Sequence, residues 1–554
     1  MELVSRNYDK MEEELLTHIE NSDYISFDLE MTGIENDKNN SLIDTPEHRY
    51  LKYKLTSEKY SIIQLGLTFF RKKENPKNSN EILYDCYPYN LYLFPSSRDL
   101  KDISQDSINL EIKCMLFNRK GKIDFNKWVN EGIHYLNDRQ YRELYKNITE
   151  TNLNNDNFKI KINHLDQKTF DYELAQKTIE DIRQNFLVPG KMYANSYIID
   201  CLPKFLLYYI KNQLPQNLYF QENYKMKRNW CTLISGFKSQ KEKEELYKND
   251  VLSQLKELER KKGPKKLFNA IFNKVNYGDI NINKFKENFN SNKIKKRKKI
   301  LVGHNMSLDL LFIITKLGDK LPDEYNSFKQ IIKTKLECIY DTKYLFEEFK
   351  NSKQNKNNII LKDIKSVLDS MYPYLKSSFD KFLKIQVKSK DNLEEAKYHS
   401  AGYDSYITGA CFLYMKYAME NNQNFMNENK NKIYLMNSLY KCMDINKEED
   451  DYLMNVINPC ENIFVFRGVK KVTDICFEII FGRKFWDKYV VKVINEEKKN
   501  ICVIFTNFDD NNGQDKTVFK TVANSKLSKD KFVAFTLGEY RNKYMKKPKS
   551  IIEE

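Results

Sequence analysis

The sequence predicts an α/β protein: a mixed sheet flanked by helices, interrupted by a small α+β insertion and followed by a second α+β module. Three observations predict it. The chain opens with three strand-like runs, YISFDLEMT from Tyr24, YSIIQLGLTFF from Tyr60 and EILYDCYPYNLYLF from Glu81, with turn signals between them. From about Lys159 to Gln240 the texture changes to short helices and strands. Beyond about Lys430 strand and helix alternate as βαββαβ.

The three opening runs are rich in β-branched and aromatic residues and predict an antiparallel meander. A helix is expected around Asp138 to Lys146, and the Asn-rich stretch Asn152–Asp156 reads as a linker. Next, FDYELAQKTIEDIRQNFL and CLPKFLLYYIKNQL read as helices, NLYFQEN and RNWCTLISGF as strands. The charged run KEKEELYKNDVLSQLKELERKKG reads as a solvated connecting helix. In the tail the strands are NIFVFRG, KYVVKVIN, ICVIFTNF and KFVAFTLGEY, in the order of an RNA-recognition module. The expected segments are thus 1–155 and 291–428 for the main domain, 156–290 for the insertion and 429–545 for the last module.

Composition narrows the class. A chain of 554 residues exceeds one hydrophobic core, and 41% hydrophobic with 31% charged residues suits a water-soluble protein. Lys and Arg outnumber Asp and Glu 92 to 77, a net charge of +15 that favours polyanionic partners. The ten cysteines form no C-x-x-C pair, which argues against a zinc site and a disulfide-stapled fold. No window of 18 apolar residues and no signal-peptide core are present, so no membrane association is expected. The nucleus and/or the cytoplasm is the expected location. The run Lys295–Lys299 has three readings: a nuclear signal, an RNA-facing patch or a solvated linker.

Three segments carry chemistry. On a strand, Asp28 and Glu30 project from one face, and two adjacent carboxylates repel unless a cation lies between them. Oxygen ligands without cysteine point to Mg²⁺ or Mn²⁺. In ILVGHNMSLDL a strand, a glycine turn and a helix would aim Asp309 at a sheet end; a satisfied core aspartate or a helix cap are its other readings. In HSAGYDSYITG, His399 precedes Asp404 by five residues, which could equally be polar residues at a helix entry.

Together these give the ordered set D-x-E, Asp, H-x4-D of the DEDDh exonucleases with a ribonuclease H-like fold. DLEMTGI, IDTPEHRY, IDFNKWVNEGIHYLN, GHNMSLDLL, LPDEYNSFKQ, IYDTK and HSAGYDSYITGACF resemble, in that order, the poly(A)-specific ribonuclease family over roughly Tyr24 to Leu413. The resemblance implies that Asp28, Glu30, Asp309 and Asp404 hold two divalent cations, ~3.5–4 Å apart in such sites. His399 would be the general base. Ile34, Asn305 and Lys343 match positions lining the scissile-nucleotide pocket, whereas Met31 stands where relatives carry Phe.

The implied activity is 3′→5′ removal of poly(A) from single-stranded RNA with release of 5′-AMP, by a homodimer. A trimmer of small or non-coding RNA 3′ ends is the alternative, and a non-catalytic RNA-binding scaffold is the reading from a different class. The insertion resembles the family's Arg-x3-His domain, although none of the six histidines follows an Arg by four. In the last module Phe464 is available to stack, although a purely structural RRM-like domain is the other reading. The second strand, Lys488–Asn495, lacks a tryptophan, so strong cap binding is not expected.

Overall fold

The structure, a computed structural model, describes residues 1–35, 40–74, 82–95, 107–150, 170–188, 196–200, 202, 204–226, 229–272, 299–352, 367–380, 383–388, 400–419, 423–454, 458–467, 483–496, 501–508, 517 and 533–545. Strands are numbered in chain order. β1 (Glu2–Leu3), β2 (Tyr24–Met31), β3 (Ile62–Lys73), β4 (Ile82–Pro95), β5 (Ile133–Tyr135), β9 (Ile300–Gly303), β10 (Cys338–Asp341) and β11 (Leu383–Val387) make one mixed sheet. Its main path runs β1-β4-β3-β2-β9-β10. The meander β2-β3-β4 is antiparallel, and β9 and β10 continue it in parallel.

An uncovered edge of a strand as long as β4 would invite pairing with other chains. Three short parallel strands cover it in tandem: β11 along Ile82–Cys86, β1 along Asn90–Leu91 and β5 along Leu93–Pro95.

Alternation along β2 sets up the two faces of the sheet. Ile25, Phe27 and Leu29 enter one core, with Leu65, Leu301 and the apolar face of the helix Ser307–Leu317. Ser26, Asp28 and Glu30 face the other way. On that side Phe70, Val302 and Tyr340 pack under the helices Thr342–Asn351, Leu368–Phe379 and Ala401–Ala418. The last of these is apolar nearly all round and buried from Ala401 to Met415 apart from Tyr403, as expected for a helix enclosed in a core.

Two compact units result, Met1–Asn137 with Gly263–Glu554, and Asp138–Lys262. The second holds β6 (Tyr197–Asp200), β7 (Leu218–Met226) and β8 (Asn229–Gly236) in the antiparallel order β6-β8-β7. Ile179, Ile182, Leu206 and Ile210 from its helices close on Ile234. Its bounds differ from the expected 156–290 at both ends. The helices Asp138–Glu150 and Gln240–Lys261 pair with each other, with the Tyr141 hydroxyl donating to Glu259 at 2.9 Å, so both belong to this unit.

In the first unit β12 (Lys432–Tyr434) pairs with β13 (Cys442–Asp444). β14 (Ile463–Arg467), β15 (Val490–Glu496), β16 (Ile501–Thr506) and β17 (Val533–Thr536) form an antiparallel sheet in the order β15-β16-β14-β17. The two helices of the expected βαββαβ order, VTDICFEIIFGRK at Val472–Lys484 and KTVFKTVANSKL at Lys516–Leu527, lie almost wholly outside the described residues. Phe464 does not offer a stacking surface: it is buried, edge-on to Phe508 at 6.3 Å. On the opposite face Val465, Val503 and Phe505 join the main core, with Leu537 and Tyr540 of the helix Leu537–Tyr544. Arg541 of that helix donates to the Tyr440 and Tyr452 hydroxyls at 3.1 and 3.0 Å, and Glu496 accepts from Ser41 Oγ and the Leu42 amide.

Among the described residues no helix is long and apolar enough to cross a membrane. Among the described residues, Cys86, Cys338, Cys411 and Cys442 are buried and form no disulfide.

Candidate active site

Asp28 and Glu30 share the β2 face that meets the helix Ala401–Ala418, and the neighbouring strand lets that helix come close. Gly66 on β3 lies opposite Asp28, and a Cβ there would fall 1.8 Å from the Ala401 carbonyl oxygen. Farther along, a Cβ on Gly409 would strike the Phe70 ring and the Ser26 hydroxyl. Polar contacts fix the register. Ser26 Oγ donates to the Ser405 carbonyl at 2.6 Å, Thr68 Oγ1 and Ser405 Oγ are 2.8 Å apart, and the Ala401 amide donates to Gln64 Oε1 at 3.3 Å. Asp404, in the helix's first turn, is thereby set over β2.

Carboxylate oxygens of Asp28, Glu30 and Asp404 lie within 4.8 Å of one another. Burial, then the charges of Asp404, Asp309 and Glu30, push the Asp28 carboxyl well above its ordinary range. Burial followed by Asp404 and Asp309 does the same to Glu30. Asp309, in the first turn of Ser307–Leu317, is pushed up to about 8 by burial and by Asp341. Asp404 and Asp309, from two distant segments, thus both act on the β2 carboxylates Asp28 and Glu30.

The turn that delivers Asp309 is held by another carboxylate. Asp341, at the end of β10, accepts on Oδ1 from the amides of Asn305 and Lys343 at 2.9 and 3.0 Å, and from Tyr344 at 3.4 Å. On Oδ2 it accepts from Met306 and Tyr434, both at 3.1 Å. Burial raises its pKa, and the amides of Asn305, Tyr434, Met306 and Lys343 oppose the rise. Asn305 has φ +53°, a left-handed backbone that asparagine tolerates. His304 packs with Nδ1 3.0 Å from Thr342 Oγ1 and is pushed down to about 3 by burial and by Lys343, so it is a neutral core histidine.

Lys343 is more than half buried, its ammonium 4.8 Å from the centre of the Tyr434 ring, and burial lowers its pKa. Ile34 follows β2 in a loop fastened by Glu111, whose Oε2 accepts the Ile34 and Glu35 amides at 2.9 and 3.0 Å. Burial would raise the Glu111 carboxyl, yet those amides and the Cys114 thiol outweigh it and hold it below its usual value. His399 lies outside the described residues, as does the basic run except Lys299, which is buried and donates to the Glu20 carbonyl.

Residues 4–412 match the family described as CAF1 family ribonuclease. The chain belongs to that family. Among its relatives, the pre-piRNA 3′-exonuclease trimmer of Bombyx mori is 25% identical over 74% of this chain and 70% of its own length. The poly(A)-specific ribonuclease PARN of Xenopus laevis is 25% identical over 75% of this chain and 62% of its own length. A solved structure of Schizosaccharomyces pombe Pop2p, in a form with Mg²⁺ and Mn²⁺ bound, is 11% identical and covers 78% of this chain and 98% of that one, at a TM-score of 0.33.

The CAF1-family chain is a hydrolytic exoribonuclease, and its mixed sheet with helices on both faces fits the ribonuclease H-like fold. The carboxylate cluster fits hard divalent cations. Its donors are all oxygens, they are close together, and Asp404 raises the pKa of both Asp28 and Glu30, a repulsion that a bound cation removes. Residues that the sequence reading passed over set the geometry: Gly66, Gly409, Gln64, Thr68 and Ser405 seat one helix, Asp341 and Glu111 fasten two loops. Asp341 carries a readable signal, an acid between an apolar strand and a helix, which is an N-cap pattern. Gly66 carries none.

Proposed function

We propose that this CAF1-family ribonuclease removes poly(A) from the 3′ end of single-stranded RNA, releasing 5′-AMP, with two Mg²⁺ or Mn²⁺ ions held by Asp28, Glu30, Asp309 and Asp404. The observation that carries the reading is the meeting of these carboxylates, where burial and the charges of Asp404 and Asp309 drive up the pKa of both Asp28 and Glu30. The ions supply Lewis-acid activation of water and charge neutralisation at the scissile phosphate. His399 takes the water's proton as general base. Lys343 pairs with a substrate phosphate, Asn305 offers its amide side chain, and Ile34 packs on the terminal nucleoside. With apolar, amide and cationic groups in the pocket, preference for adenosine comes from stacked single-strand geometry, worth ~1–3 kcal/mol per base, more than from base-edge hydrogen bonds.

The alternative of a small-RNA 3′ trimmer is supported by the similarity to the Bombyx mori trimmer. Rates on A-, U-, C- and G-tailed RNAs, capped and uncapped, in Mg²⁺ and in excess EDTA, separate the two. Faster removal of A tails supports the deadenylase, and equal rates favour the trimmer. Ile34→Ala should relax the base preference, whereas Lys343→Ala should slow all tails alike.

Two features beyond the site belong to the same proposal. The β14–β17 sheet is an RRM-like module in a structural role, since both faces of β14 and β16 are buried, and cap dependence is weak. The enzyme is a homodimer through its nuclease domain, a reading supported by Leu110, Ile112, Leu116 and Phe117, which leave an apolar surface with Ile112 77% exposed. Light scattering at micromolar concentration tests it: a monomer refutes the dimer, and Ile112→Glu should dissociate one formed there.

A further inference from the structure

We infer that Asp341 is a positioning residue of the active site, joining the placement of the metal-binding Asp309 to that of the phosphate-binding Lys343. It rests on the reading of Asp28, Glu30, Asp309 and Asp404 as the metal-binding set. Asp341 touches neither substrate nor metal in this role; it acts through backbone.

Its two carboxylate oxygens collect five main-chain amides from three separate pieces of chain. Asn305 and Met306 belong to the turn that ends β9 and launches Asp309; Lys343 and Tyr344 open the next helix; Tyr434 closes β12, some ninety residues on. A simple N-cap carboxylate serves only its own helix. Here the cap amides take Oδ1, while Oδ2 is committed wholly to the Met306 and Tyr434 amides. Asp341 is 1% exposed, so no water replaces a lost acceptor.

The geometry makes the hub directional. Met306 precedes the helix on which Asp309 is the third residue, so a shift of the turn is passed to the Asp309 carboxylate through a rigid first turn. The Tyr434 amide is pinned by the same oxygen, and the Tyr434 ring lies against the Lys343 ammonium. One carboxylate therefore sets a metal ligand, the start of the lysine's helix and the aromatic surface on which that lysine rests. An asparagine is nearly the same shape, but its NH₂ would face amide donors on one side and break at least two of the five bonds.

The test is Asp341→Asn beside Asp309→Asn, with Mn²⁺ binding measured calorimetrically in the absence of RNA and kcat and KM measured separately. For a folded Asp341→Asn protein we expect Mn²⁺ affinity to fall at least tenfold, kcat to fall at least a hundredfold and KM for RNA to rise severalfold. A purely structural role would lower the melting temperature and leave Mn²⁺ affinity, kcat and KM per folded molecule unchanged; that result overturns the inference. If Asp309→Asn itself keeps wild-type Mn²⁺ affinity, the metal-site reading fails instead. Should Asp341→Asn not fold, amide exchange in the wild-type protein decides. The inference requires protection of the Asn305, Met306 and Tyr434 amides, although Asn305 and Met306 lie in a turn, and exchange at unprotected rates overturns it.

Discussion

Gly66 and Ala401 are 335 positions apart in the chain, yet the Ala401 carbonyl fills the space a Gly66 side chain would need, with a Cβ falling 1.8 Å from its oxygen. Backbone meets backbone there, and no side-chain rotation relieves the overlap. Because Gly66 is the β3 partner of Asp28, the contact sets how far Asp404 stands from the β2 carboxylates.

Gly66→Ala should therefore push the Ala401–Ala418 helix off the sheet. Overpacking of this kind costs about 1–3 kcal/mol. Displacement of a reacting group by an ångström costs on the order of 10²-fold in rate. We expect a folded protein with a lowered melting temperature and a rate reduced at least that far, measured by thermal unfolding and single-turnover decay of a labelled A-tailed RNA. Wild-type rate would show that the helix tolerates the shift.

Asp28→Asn should abolish activity and, in EDTA, stabilise the fold. Asp28 is surrounded by Asp404, Asp309 and Glu30, which raise its pKa along with burial, so without a cation its charge is a liability. Removing it should raise the metal-free melting temperature on the order of 2 °C or more. A drop would mean that the Asp28 carboxylate is a structural hydrogen-bond acceptor.

Metal should stabilise the wild type more as pH rises. Asp309 stands at about 8 in the folded chain against 3.8 ordinarily, so it binds protons more tightly folded than unfolded. A raised carboxyl favours the folded state while protonated, and that benefit is lost as pH climbs from near 4 towards 8. The difference in melting temperature between Mg²⁺ and EDTA should be small at pH 5 and largest above pH 8. A difference independent of pH would place the ion elsewhere.

His399→Ala should slow turnover by ~10²-fold or more while RNA binding persists, and the wild-type rate should rise with pH through a neutral apparent pKa. An unchanged rate in the variant would remove His399 from the chemistry.

Sequence alone determined what is local. Period-two alternation put Asp28 and Glu30 on one face of β2, and the meander of β2, β3 and β4 followed from their β-branched and aromatic runs. It also supplied the order of the acidic segments, which carried the family resemblance without any contact being known. It misjudged Phe464, because hydrophobicity on a strand does not say which face is covered, and β14 is covered on both. Tertiary structure decided the rest, through relations between segments remote in the chain. The covered edge of β4, the pairing of the helices Asp138–Glu150 and Gln240–Lys261, the five amides on Asp341 and the Ala401 carbonyl against Gly66 are all such relations. A glycine needed for room and an aspartate needed as an acceptor look in sequence like any others, because what makes each indispensable is a neighbour brought in by folding.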